Sequence, residues 1–197
     1  MVIGLTGKSC SGKDVAASYF AAKGLAVVDV DKLGHEALVA NHDLLVETFG
    51  KGIEKADGTI DRKALGAIVF SDASQLARLD GISHPWMRSQ VVDFIGRHEV
   101  SIINCALLER MRLVELCDEV LFFLSPLEQR IERAMGRDGT TREAFLRREA
   151  SQQDIGQEIF SSGRRIITIM NDSTKAHLSR QLDFYYDTLV GRGYVHG

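Results

Sequence analysis

The chain has 197 residues, 45% of them hydrophobic and 26% charged, with a net charge of -3. That length holds one well-buried core with an insertion and excludes two independent domains of ordinary size, and the balanced charge argues against a general polyanion-binding field, so nucleic acid is not an expected partner. The three cysteines, Cys10, Cys105 and Cys117, stand in neither metal-ligand nor Cys-x-x-Cys spacing, no apolar stretch reaches the roughly 20 residues of a membrane span, and the chain reads straight into Val2-Ile3-Gly4-Leu5-Thr6 with no basic leader; the expectation is a reduced, cytoplasmic setting.

In chain order, short apolar runs suited to buried parallel strands fall at Val2 to Thr6, Leu25 to Val30, Val100 to Cys105, Glu119 to Leu124 and Arg165 to Met170, with helical patterns between them. Strands joined by long crossovers make a parallel five-stranded sheet flanked by helices, an α/β fold. Between Lys32 and His98 lie several helical patterns and no convincing strand, so the stretch reads as an inserted helical region. There Asp57-Gly58 marks a turn, Asp61 can cap a helix burying Ala64, Leu65, Ile68 and Val69, and Leu76, Leu79 and Ile82 continue at helical spacing. A further helix is expected to start near Pro85, in whose first turn the missing N–H would have no partner, and to bury Val91, Phe94 and Ile95. After the fourth strand, Ser125-Pro126-Leu127-Glu128 reads as a capping box, and Thr140 with Glu143 as a second helix start, so two helices flank Arg137-Asp138-Gly139. A last helix near Thr174 to Leu189 closes the core through Leu178, Leu182, Tyr185 and Leu189. The segment from Asp154 to Gly163 gives no assignment.

The strongest chemical signal is Gly7-Lys8-Ser9-Cys10-Ser11-Gly12-Lys13-Asp14, the Gly-x-x-x-x-Gly-Lys pattern of a phosphate-binding loop, placed between a strand and a helix. Converging backbone N–H groups cradle phosphates there and Lys13 adds positive charge, so a nucleoside triphosphate is the expected ligand. Where that pattern usually carries Ser or Thr after the lysine, whose hydroxyl meets Mg²⁺, this chain has Asp14 followed by Val15. Asp14 is then either a metal ligand or a partner for the helix dipole. Asp29-Val30-Asp31 stands at the end of the second strand, where the two-residue period sends both carboxylates to one face; Asp31 either takes a proton from an acceptor hydroxyl or caps the next helix. Arg130, Arg133 and Arg137 can share one helical face, as a lid that neutralises phosphoryl charge or as a solvated surface interleaved with Glu128, Glu132 and Glu143. Of the six histidines, His35 after the aspartate pair and His84 before Pro85 stand out, each either a site residue or only a cap or surface residue.

In this order the motifs resemble the dephospho-coenzyme A kinases over nearly the whole chain. The resemblance is carried by Ile3-Gly4-Leu5-Thr6-Gly7 with Ser11-Gly12-Lys13, by Val28-Asp29-Val30-Asp31 and by Asp57-Gly58-Thr59-Ile60-Asp61-Arg62 with Leu65 and Phe70. It continues through His84-Pro85, Ala106-Leu107-Leu108, Gln129 with Arg133 and Arg137, Gln152, and Ile169-Met170-Asn171-Asp172-Ser173. It implies a P-loop kinase using ATP and Mg²⁺, with dephospho-coenzyme A as acceptor. Asp31 would orient or deprotonate the acceptor hydroxyl, with Lys13, Arg133 and Arg137 beside it in catalysis. Gly7, Cys10, Ser11, Gly12, Lys13, Asp14 and Val15 would hold ATP, with Asn171 near the adenine, and Arg62, His35 and His84 would line the acceptor side. It also implies one domain, with a core of 1–31, 99–125 and 164–191, a helical acceptor-binding region of 32–98 and a lid of 126–152. The chain departs from the family at Asp14, at Lys8-Ser9-Cys10 where a glycine-richer loop is usual, and at Glu109-Arg110, where Arg110 aligns with the family's acid. Rival readings are a shikimate or nucleoside-monophosphate kinase and a non-catalytic nucleotide-binding protein; a GTPase is disfavoured because no Asn-Lys-x-Asp motif is present.

Overall fold

The computed structural model describes residues 1–150, 156 and 158–196, apart from the side chain of Arg148; Gln152, the last residues of the expected lid and Asp154 lie outside the described residues. The chain divides into two compact units, Met1–Asp29 with Phe94–Gly197, and Val30–Asp93.

In the larger unit, five parallel strands, β1 (Val2–Gly7), β2 (Ala26–Asp29), β3 (Ser101–Asn104), β4 (Glu119–Leu124) and β5 (Arg165–Met170), lie in the order β2-β3-β1-β4-β5. The central strand β1 pairs with β3 and β4, Leu5 standing opposite Asn104 on one side and Leu121 on the other. These strands are apolar on both faces because both faces are covered. Ile3, Leu5, Ile102, Leu121 and Phe123 pack on Ala16 and Phe20 of α1 (Lys13–Ala22) and on Leu178, Leu182, Tyr185 and Leu189 of α8 (Lys175–Gly191). The Thr174 side chain caps α8 by accepting from the His177 N–H at 3.2 Å. At the amino end of β4 the carboxylate of Glu119, 3% exposed, accepts from Tyr185 Oη at 2.9 Å, from Arg165 Nη1 at 3.0 Å and from Arg192 Nη1. On the edge strand β5, the Gln181 side chain accepts from the Met170 N–H at 3.0 Å and donates to the Met170 carbonyl at 2.7 Å.

Two further helices of this unit, α6 (Leu127–Asp138) and α7 (Arg142–Ala150), meet at Gly139, whose φ of 62° ends α6 in a left-handed turn. Neither expected helix start forms as read. Pro126 occupies the N-cap of α6 without a side-chain cap, and the Ser125 hydroxyl is engaged elsewhere, accepting from Arg133 Nη1 at 2.8 Å and donating to the Asn171 carbonyl at 2.6 Å. The first turn of α7 is capped by Thr141, one residue later than expected, through the Ala144 N–H at 3.2 Å.

The smaller unit comprises α2 (Val30–Ala40), α3 (His42–Phe49), α4 (Arg62–Val69) and most of α5 (Ala73–Ile95). Its core joins Leu45, Ile53, Ile60, Leu65 and Val69, with Leu76, Leu79 and Ile82 of α5 packed against them. Asp61 caps α4, its Oδ1 accepting from Lys63 N at 2.9 Å and Ala64 N at 3.1 Å. Asp57 closes its turn onto the Thr59 N–H at 2.9 Å. Two expectations are corrected. Pro85 does not open a helix but sits inside the 23-residue α5. There it cannot donate the helical hydrogen bond to the Gly81 carbonyl, a loss of about 3 kcal/mol, which the packing of Leu76, Leu79 and Ile82 before it and the burial of Met87 and Val91 after it offset. Asp29 and Asp31 are not alternate positions of one strand either: β2 ends at Asp29 and Val30 already begins α2, so Asp31 lies in the first turn of a helix.

Candidate active site

Gly7 to Lys13 connect the central strand to α1, and two glycines make the connection possible. A Cβ on Gly7 would lie 2.6 Å from the Phe123 carbonyl, and one on Gly12, whose φ is 114°, only 2.5 Å from Asn171 Nδ2. Cys10 takes the left-handed conformation, φ 60°, without being glycine, at a cost of about 1–2 kcal/mol; its side chain packs on Ile131, Ala134 and Phe145 of α6 and α7. The α1 N-terminus faces the loop, as anion binding requires.

Lys13 is 5% exposed, and its Nζ lies 2.8 Å from Asp14 Oδ1 and 3.5 Å from Asn104 Oδ1 at the end of β3. Asn104 Nδ2 donates to the same Asp14 oxygen at 3.1 Å, and Arg137 Nη1 stands 3.8 Å from the other. Partial burial pushes the Asp14 carboxyl up, but the hydrogen bond and charge of Lys13, with Asn104 and Arg137, outweigh it and hold the group below the ordinary range. Asp14 is therefore ionised at neutral pH and tied to the side chains of the site.

The three arginines of α6 have distinct surroundings. Arg133 is a strut: Nη1 donates to the Cys10 carbonyl at 3.2 Å and to Ser125 Oγ at 2.8 Å, while Nη2 donates to Gln129 Oε1 at 2.9 Å and to the Asn171 carbonyl at 3.0 Å. Arg137 is half-exposed and paired with Asp138 at 2.7 Å. Arg130, 5% exposed, is turned inward onto Glu149 of α7 at 2.7 and 2.8 Å. Of the two readings of this helix, a solvated face is excluded for Arg130 and Arg133.

Asn171 follows β5 and returns to the loop, its Nδ2 donating to the Ser11 carbonyl at 2.8 Å. Gly12, Asp14, Arg133, Arg137, Asn171 and Lys175 are among the residues lining a cleft of about 560 Å³, within the size range of small-molecule sites. Cys10 and Val15 line it too. Of the expected ATP-side residues, Cys10, Gly12, Asp14, Val15 and Asn171 line this cleft, whereas Ser11 lines a separate cavity of about 80 Å³ with Lys8 and Arg130 and Gly7 and Lys13 are buried beside it.

Asn104, Ser125 and Lys175 are site residues that the sequence reading did not single out. Asn104 had a signal, being a polar residue closing a buried run at the carboxyl end of a strand, where ligands of open α/β sheets gather. Glu109 and Arg110 line a separate cavity of about 20 Å³ beside Thr6. Burial, with Glu158 and Glu115 nearby, pushes the Glu109 carboxyl up. In the smaller unit, Asp31, His35 and Arg62 are exposed, and His84 pairs with Asp80 one turn earlier at 3.4 Å.

A parallel sheet with its phosphate loop on the central strand, a buried lysine opening the following helix and an arginine-bearing helical pair over the loop define a P-loop kinase for small molecules. The dephospho-CoA kinase family profile matches residues 1–175. A dephospho-CoA kinase of Geobacter sulfurreducens is 33% identical over 190 residues, spanning 92% of this chain and 95% of its own, and one of Ralstonia nicotianae is 37% identical over 189 residues, spanning 86% and 93%. A Thermus thermophilus protein of known crystal structure has a TM-score of 0.81 and 29% identity, covering 96% of this chain and 97% of that one. The chain belongs to the dephospho-CoA kinase family.

Proposed function

We infer that the chain transfers the γ-phosphoryl of ATP to the ribose 3′-hydroxyl of dephospho-coenzyme A, the last step of coenzyme A synthesis. The observation that carries this is the cleft in which Gly12, Asp14, Arg133, Arg137 and Asn171 converge, in a chain that matches the family over 1–175. ATP lies with its β- and γ-phosphates on the loop and the α1 N-terminus, Lys13 neutralising the charge that develops as the bond to the leaving ADP lengthens. Arg137 faces the phosphates, Arg133 holds the loop and Asn171 in register, and Asn171 borders the adenine. The acceptor occupies the helical region of 32–98, with Arg62, His35 and His84 along it. Asp31 takes the proton of the 3′-hydroxyl as its oxygen bonds to the γ-phosphorus and ADP departs.

The residues present fit Mg²⁺ in one respect: Asp14, an ionised carboxylate lining the cleft beside Lys13, is the kind of oxygen ligand that joins substrate phosphates around this ion. Bound there, the ion would spread the charge of the phosphate oxygens. Among the described residues no helix is long and apolar enough to cross a membrane; we place the enzyme in the cytoplasm, acting on small molecules and not on nucleic acid.

The test is mass-spectrometric detection of coenzyme A after incubation with ATP, Mg²⁺ and dephospho-coenzyme A. Wild type forms product, and Asp31→Ala, on an exposed first-turn position, lowers kcat about 10²–10⁴-fold with the fold intact. Undiminished turnover in that variant removes Asp31 from the chemistry.

A further inference from the structure

Three successive residues of the phosphate loop are gripped by the two helices above it. Lys8 Nζ donates to Glu149 Oε1 at 2.8 Å, the Ser9 carbonyl accepts from Arg130 Nη1 at 3.4 Å, and the Cys10 carbonyl accepts from Arg133 Nη1 at 3.2 Å. Two of the three grips converge on Glu149, which holds Arg130 by both oxygens at 2.7 and 2.8 Å. The remaining Arg130 donor, Nε, is fixed by the Ser125 carbonyl at 3.2 Å. Glu149 and Arg130 are both largely withdrawn from solvent, with side-chain exposures of 15% and 6%. The Arg130–Glu149 pair is therefore shielded from water, where charge-assisted, two-pronged bonds are strongest and set geometry, with Lys8 joining from its more exposed edge.

The consequence for the loop follows from peptide geometry. The carbonyl and N–H of one trans peptide point in opposite directions, so a guanidinium that holds the Ser9 carbonyl also holds the Cys10 N–H turned the other way. The Ser11 N–H closes the turn onto the Lys8 carbonyl at 3.1 Å, and Cys10, left-handed at φ 60°, needs outside support to stay there. Its side chain receives that support from Ile131, Ala134 and Phe145, two of which belong to α6 and the third to the same α7 that carries Glu149.

We propose that Glu149 is a positioning residue for ATP, acting through Arg130 and Lys8 to hold the phosphate loop in its anion-binding shape. Glu149 itself is not among the residues lining the cleft. Its carboxylate couples the pose of α7 to the direction of the loop peptides, so the helical pair shapes the phosphate site in addition to covering it. The inference rests on the ATP-using reading given above, and wild-type turnover tests that reading separately.

The experiment compares wild type, Glu149→Gln and Lys8→Met for ATP affinity by calorimetry, for KM of each substrate and kcat, and for amide hydrogen exchange across residues 7–13. In Glu149→Gln the ATP dissociation constant and KM rise roughly tenfold, as for loss of one charged hydrogen bond, exchange in the loop quickens, and the KM of the acceptor stays within about twofold of wild type. Lys8→Met, one-third exposed and safe for folding, weakens ATP by a smaller factor, and adding it to Glu149→Gln costs less than it does alone. Should Glu149→Gln fail to fold, faster loop exchange with weaker ATP binding in Lys8→Met supports the proposal, and wild-type values there overturn it. Unchanged or tighter ATP binding in folded Glu149→Gln also overturns it, the tighter result identifying Glu149 as a latch that withholds Lys8 and Arg130 from the phosphates.

Discussion

Two carboxylates with similar surroundings sit at opposite ends of the sheet. Glu119, at the amino end of β4, gathers Tyr185, Arg165 and Arg192; Glu149, beside the phosphate loop, gathers Arg130 and Lys8. The first fastens secondary structure to secondary structure, drawing the end of the last helix onto the sheet. The second fastens a helix to a loop whose own peptides must meet a ligand. The difference lies in what stands on the other side of the arginine: a folded element tolerates small movements of its anchor, whereas a loop that binds by backbone N–H groups transmits them directly to the phosphate.

The largest expected effect comes from the loop itself. Lys13→Ala removes the buried ammonium and lowers kcat by about 10²–10³-fold, as for loss of a donor to transition-state charge; circular dichroism checks that the fold survives, and near-normal kcat would take Lys13 out of the reaction. Next, Glu119→Gln strips the counter-charge from Arg165 and Arg192 and lowers stability by about 3 kcal/mol, discounted toward 1 because both arginines are partly exposed. Denaturant melts should show this with ATP affinity unaltered, and weakened ATP binding would erase the distinction between the two ends. A smaller effect is expected of Asp14→Ser, which releases Lys13 from its carboxylate: ATP binding without Mg²⁺ should tighten severalfold, measured by calorimetry in chelator. The smallest is a pH effect. The hydrogen bonds and charge of Arg130 hold the Glu149 carboxyl down to about 2, against an ordinary value near 4.3. Because the folded value is depressed, its contribution is complete above that ordinary value and fades as pH falls through about 2. Protection of the loop amides should decline over that acid window in wild type and not in Glu149→Gln.

How much of this was legible depended on whether a signal was local. β4 and β5 follow the expected boundaries, Glu119 to Leu124 and Arg165 to Met170, β4 because a run buried on both faces is marked by composition alone, and β5, an edge strand with Ile169 buried, because its β-branched run Ile166 to Ile169 is marked by propensity. The phosphate loop is marked by spacing. Helix starts were less readable where a side chain had a second use. Ser125 has the sequence of a cap, yet its hydroxyl goes to Asn171, 46 residues away, and to Arg133. Pro85 reads as a helix start until burial on both sides of it outweighs one lost hydrogen bond. Glu149 had no signal at all: its partners Lys8 and Arg130 are 141 and 19 residues distant, and among several charged neighbours nothing in the spacing distinguishes the one that turns inward.

The Gln181 amide bonded to both polar groups of Met170 has a further consequence. β5 is an outer strand, and outer strands invite a neighbouring chain to continue the ladder. By supplying from its own helix the pair of bonds that a foreign residue would supply, Gln181 terminates the ladder at its last rung. Zippering between copies is thereby discouraged at the strand end that leads into Asn171, the residue bonded to the phosphate loop.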